Sequence, residues 1–67
     1  MKIKVGVKVT LHDKGGSEQA EIVFLSYNRL GQLLIDVRYE GGFKFTFDLD
    51  SFREALEPRV SLGEVEI

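Results

Sequence analysis

Few residues in this 67-residue chain are able to move a proton, hold a metal or attack a substrate. The single histidine, His12, stands beside Asp13. One imidazole with no second ligand at metal spacing does not make a zinc site, which needs three or four protein donors in tetrahedral array. There is no cysteine, so thiolate ligands, disulfides and a cysteine nucleophile are excluded. Asp36, Glu40 and Asp48 share the outward parity of predicted strands, and carboxyl pairs held close can act as acid and base. Arg38 and Lys44 alternate with them, so the preferred reading is cross-strand charge pairing on a solvated face. Ser17, Ser26, Ser51 and Ser61 lie in no nucleophile-elbow motif. DKGG and YEGG match neither G-x-x-x-x-G-K-[ST] nor G-x-G-x-x-G and read as turns. The expectation is therefore no enzyme, no metal and no cofactor, but a small binding or interaction module.

Two kinds of binding residue stand out. In EIVFLSY, residues 21–27, strict alternation places Ile22 and Phe24 on one face and Val23, Leu25 and Tyr27 on the other. With Leu34, the second set is more apolar than an outward face needs. Val23, Leu25, Tyr27 and Leu34 are thus the protein-interface candidates, for a partner protein or a weak to moderate homodimer. The alternative reading is a basic sheet face for single-stranded nucleic acid. It uses Lys2, Lys4, Lys8, Arg38 and Lys44, with Tyr27 or Tyr39 as a stacking platform.

These residues need a scaffold, and the periodicity supplies one. In KIKVGVKVTLH, Ile3, Val5, Val7, Val9 and Leu11 alternate with lysines and other polar or small residues, which predicts one strand over residues 2–12. HDKGGSEQ is expected to be loop, AEIVFLSY a second strand and NRLG a turn. A third strand, QLLIDVRYE, turns Leu33, Ile35, Val37 and Tyr39 inward. A fourth, FKFTFDL, does the same with Phe43, Phe45, Phe47 and Leu49. The short connections predict an antiparallel meander. Phe52, Ala55 and Leu56 then fall on one helical face, which predicts a turn of helix at 51–57 capped by Asp50 or Ser51 and ended by Pro58. RVSLGEVEI, residues 59–67, has strand character and a Gly63 that can host a bulge. Four strands, a helical turn and a final strand predict a mainly β protein: a five-stranded, antiparallel, SH3-like, partly open barrel. Its second strand bends to serve both packed sheets. Phe45, Phe47 and Phe52 are expected at its centre.

Composition agrees with one small domain over residues 1–67. Hydrophobic residues make up 43% and charged residues 30%, which is ordinary for a folded chain. A domain of this length buries only about 60% of the surface its unfolded chain exposes. No run approaches the ~18 apolar residues of a membrane span, and the N-terminus has no signal-peptide pattern. With cysteine absent, a cytoplasmic location is expected. The net charge is −2, but it is unevenly spread. Residues 1–14 carry four lysines and one aspartate, and residues 48–67 carry two arginines and six acids. The ends either pair and cancel or leave a basic stripe for an anionic partner.

GQLLIDVRYEGGFKFTFDLDSFREALE resembles the strand–strand–helix end of the transcriptional-coactivator family that binds single-stranded DNA. There an I-D-[IV]-R strand likewise precedes a glycine turn, an apolar strand and a helix. The likeness spans residues 31–57. It implies a DNA-binding role resting here on Arg38 and Lys44. The family's basic glycine-rich turn is the acidic YEGG in this chain, and Pro58 and a further strand-like segment follow the helix.

Overall fold

The computed structural model describes residues 2–56. It has four strands and one helix: β1 (Lys8–Asp13), β2 (Gly16–Tyr27), β3 (Leu33–Tyr39), β4 (Lys44–Asp48) and α1 (Leu49–Leu56). The strands form one antiparallel sheet in the order β1-β2-β3-β4. The expected meander is present. The strand expected at 59–67 lies outside the described residues.

One face of the sheet carries the core. Val9 and Leu11 of β1, Ala20 and Ile22 of β2, and Leu33, Ile35 and Val37 of β3 are buried. Their neighbours in sequence point to the other, outer face, as a period of two requires. α1 lies across the core face. Its Phe52 and Leu56, four apart and therefore stacked on one stripe, are both buried. Eight residues make a helix too short to persist alone, so these two side chains and a cap hold it. The cap is Asp48, whose Oδ1 accepts the Ser51 N–H at 2.8 Å. The helix thus starts two residues before the expected 51, and its cap lies upstream of Asp50. The expected cap failed because Asp48 ends β4 in extended geometry with its carboxylate already aimed at the first turn.

The first strand is not continuous over 2–12. Residues 4–7 form a turn, closed by the Val7 N–H to the Lys4 carbonyl at 3.3 Å, with Gly6 at φ +96°. Only glycine enters that region cheaply. Ile3 remains buried, but Val5 is exposed. The second half of the turn already bonds to β2: Gly6 N–H donates to Ile22 O and Ile22 N–H to Val7 O.

Directly opposite this turn, β2 carries a bulge. Ile22 pairs with Val37 and Phe24 with Asp36, so Val23 is an extra residue with no partner of its own. Everything beyond it changes face. Ile22 is buried, Phe24 is exposed on the outer face, and Leu25 packs against the core. This corrects the strict alternation expected for EIVFLSY. The apparent second apolar face arises because one strand serves the core with even residues before the bulge and odd residues after it.

The 12–19 loop is also shorter than expected. β1 runs to Asp13 and β2 begins at Gly16, leaving Lys14 and Gly15 as the connection. Asp13 Oδ1 accepts the Gly15 N–H at 2.7 Å, and Gly16 takes φ +123°.

Candidate functional site

The core face is covered unevenly. α1 springs from the end of β4, and its last turn reaches β1, so it roofs Phe47 but leaves the rest of β4 bare. Phe47 is half-buried and stacks edge-on against Phe52, with ring centroids 5.9 Å apart. Phe45 meets Phe47 at 4.7 Å, yet it is 55% exposed, and Phe43 is 77% exposed. The expectation of a buried Phe45 is corrected here. Its parity is the inward one, but β4 is the last strand of the meander and no element lies above that half of it among the described residues.

A groove of about 410 Å³ follows from this geometry. Tyr39, Phe43, Phe45 and Phe47 form one wall, Leu11, His12 and Asp13 the other, with Glu18 and Ala55 at its margins. Its rim is acidic. Burial pushes the Tyr39 hydroxyl above its ordinary pKa, and the carboxylates of Asp13 and Glu18 push it further.

The edge of β4 is open as well. Among the described residues no strand pairs on its far side. The Tyr39 N–H bonds to Phe43 O at 2.7 Å, which makes 39–43 a hydrogen-bonded pair. Alternation along an antiparallel ladder then makes 37–45 and 35–47 hydrogen-bonded pairs too. Phe45 and Phe47 therefore spend their backbone groups on β3. Lys44 and Thr46 turn theirs outward, as Asp48 does its N–H, while the Asp48 C=O begins the helix.

The four interface candidates do not gather into one patch. Leu25 faces the core, Val23 occupies the bulge, Leu34 lies half-buried on the outer face opposite Ser26 and Asp48, and Tyr27 is exposed at the strand end. The basic candidates are partly united. Lys8, Glu21, Arg38 and Lys44 form a row across all four strands on the outer face. Glu21 interrupts the row and lies 3.6 Å from Arg38. Lys2 and Lys4 are exposed on the segment before β1, and Tyr39 is on the opposite, core face. Phe24, which sequence reasoning placed inside, stands one row from Arg38 as an exposed aromatic. The missed signals were the bulge and, among the described residues, the lack of a roof over β4, and neither leaves a mark in local alternation.

Two of the three carboxylates singled out for chemistry have structural partners, and Glu40 stands exposed. Asp36 accepts the Thr46 hydroxyl at 2.9 Å, and Asp48 caps α1. The Ser51 backbone N–H, followed by its hydroxyl, holds Asp48 below the ordinary carboxylate range. No three histidine or acidic side chains converge as metal ligands among the described residues, and no described helix is long and apolar enough to cross a membrane.

Comparison of the chain with protein-family models, curated proteins and solved structures finds no match.

Proposed function

We propose that this chain is a small non-catalytic interaction module that binds protein, as a homodimer or as the accessory subunit of an assembly. The observation that carries the reading is the phenylalanine face of β4, unroofed among the described residues, where Phe43 and Phe45 stand exposed beside an edge that no described strand pairs. Contiguous aromatic surface of this kind is costly in water and marks a contact site. In this reading the domain is a small, partly open, SH3-like barrel.

The test is a double substitution, Phe43→Ser with Phe45→Ser. The variant should unfold cooperatively, near the parent midpoint, and should lose its binding of an apolar dye. A variant that no longer folds would mean the two rings belong to the domain's own core, and the proposal would fall.

A second reading is kept for one observation: Lys8, Arg38 and Lys44 share the outer face with exposed Phe24. A basic row beside an aromatic fits single-stranded nucleic acid. Binding of an oligonucleotide should then weaken steeply with salt, because each phosphate contact releases a counterion. No binding at about 50 mM salt and tens of micromolar protein would end this reading, since non-specific binders still reach about 10⁻⁴–10⁻⁶ M.

A further inference from the structure

The occupant of the open β4 edge can be read from β4 itself. Its sequence is Lys44-Phe45-Thr46-Phe47-Asp48. Reversed, the same stretch keeps its apolar pattern and exchanges the positive end for the negative one. We propose that β4 pairs antiparallel with β4 of a second copy about a two-fold axis through Thr46. This rests on the protein-binding reading above and names the partner.

The register follows from the groups on the edge. Lys44 and Thr46 point their backbone N–H and C=O groups away from β3, and Asp48 its N–H, while the Asp48 C=O begins the helix; these groups become the hydrogen-bonding positions of the new ladder. Centring on Thr46 sets Lys44 of each chain opposite Asp48 of the other, twice over by symmetry, on the outer face. Opposite charges directly across an antiparallel pair are favourable, and like charges are not. On the core face, Phe45 of each chain then meets Phe47 of its mate, which extends the Phe45–Phe47 stack from 4.7 Å neighbours in one chain to four rings in two. A shift of two residues to either side destroys the charge pairing, because a lysine or an aspartate then faces threonine. The contact is isologous, as a two-fold requires. It is also small, one five-residue strand per chain, well below the ~1,600 Å² of a standard interface. A dissociation constant in the micromolar range or weaker is expected.

The experiment uses the full chain. Sedimentation equilibrium should show a concentration-dependent monomer–dimer exchange. Because the chain has no cysteine, a single introduced thiol reports register directly. In the proposed pair the two Thr46 Cα atoms sit about 5.5 Å apart, inside the range a disulfide spans. Thr46→Cys should therefore oxidise quickly to a covalent dimer under a mild oxidant. Lys44→Cys places its thiols about 14 Å apart, four strand residues at ~3.4 Å each, and should cross-link far more slowly. Lys44→Glu sets glutamate against aspartate at both ends and should weaken the dimer about tenfold or more. A chain that stays monomeric at all concentrations overturns the inference, as does equal cross-linking at 44 and 46 or a Lys44→Glu dimer of unchanged strength. If the chain is monomeric while the Phe43→Ser/Phe45→Ser variant still loses dye binding, the two-fold alone has failed and the interaction face stands.

Discussion

Phe52 and Phe45 lie in one aromatic row, joined through Phe47, yet one is wholly buried and the other is 55% exposed. Both carry the parity or periodicity that points toward the core. The difference is what lies above them. Phe52 is on the covering element itself and is pressed between α1 and the sheet. Phe45 is on the last described strand, in the half that α1 does not reach. Burial here depends on coverage as much as on pattern, and the same residue type serves as core on one side of the groove and as surface on the other.

That contrast can be broken or sharpened by substitution. The largest effect is expected at Phe52→Ala, which should cost about 3–5 kcal/mol. A domain this small has little more to lose, so chemical denaturation should find most of the variant unfolded. Phe45→Ala is the control: its monomer should change by no more than about 0.5 kcal/mol. Equal losses at the two sites would erase the distinction between covered and uncovered sides.

Leu25→Glu comes next. Since Leu25 packs against the core, a carboxylate there should destabilise the fold by about 2–3 kcal/mol. Full stability with an altered molar mass would move Leu25 to an interface instead.

Deleting Val23 asks about the bulge. Without it, Ile22, Phe24 and Leu25 alternate in, out, in, as they already do in the structure. The deletion should be tolerated at a cost of about 1–2 kcal/mol, with β3 amides keeping their hydrogen-exchange protection. A register in which Phe24 belonged to the core would be scrambled by the same deletion, since every later side chain of β2 would change face.

The smallest effect lies at the groove rim and is a pH dependence. The hydroxyl of Tyr39 is raised above its ordinary value by burial, then by Asp13 and Glu18. As pH rises past about 10, the unfolded chain releases this proton first. It then binds fewer protons than the folded chain, and stability must fall with pH. Asp13→Asn should lower the midpoint of phenolate absorbance in the folded state. An unmoved midpoint would separate Asp13 from the groove.

Much of this architecture was legible in the sequence. Val37, Ile35 and Leu33 alternate cleanly with Arg38, Asp36 and Leu34, and the first three are buried. The meander was legible because short glycine-bearing connections leave adjacent strands no choice but to run antiparallel. Phe52 and Leu56 were legible because a four-residue spacing on a short helix admits one buried stripe. These are local features, and each is decided by residues within a turn or two of chain.

Tertiary structure decided the rest. In KIKVGVKVTLH only Gly6 itself marks the break, because the residues around it alternate as a strand should. The break lies against the extra residue of β2, so two segments of the chain depart from straight strands at the same place. Val23 is likewise an unremarkable strand residue until β3 offers it no partner. The exposure of Phe45 is set by the length of α1 and the place where it crosses, both fixed by Asp48 at one end and by the fit of Phe52 and Leu56 against the sheet at the other. Alternation states which side chains share a face. Only packing states whether anything comes to cover it.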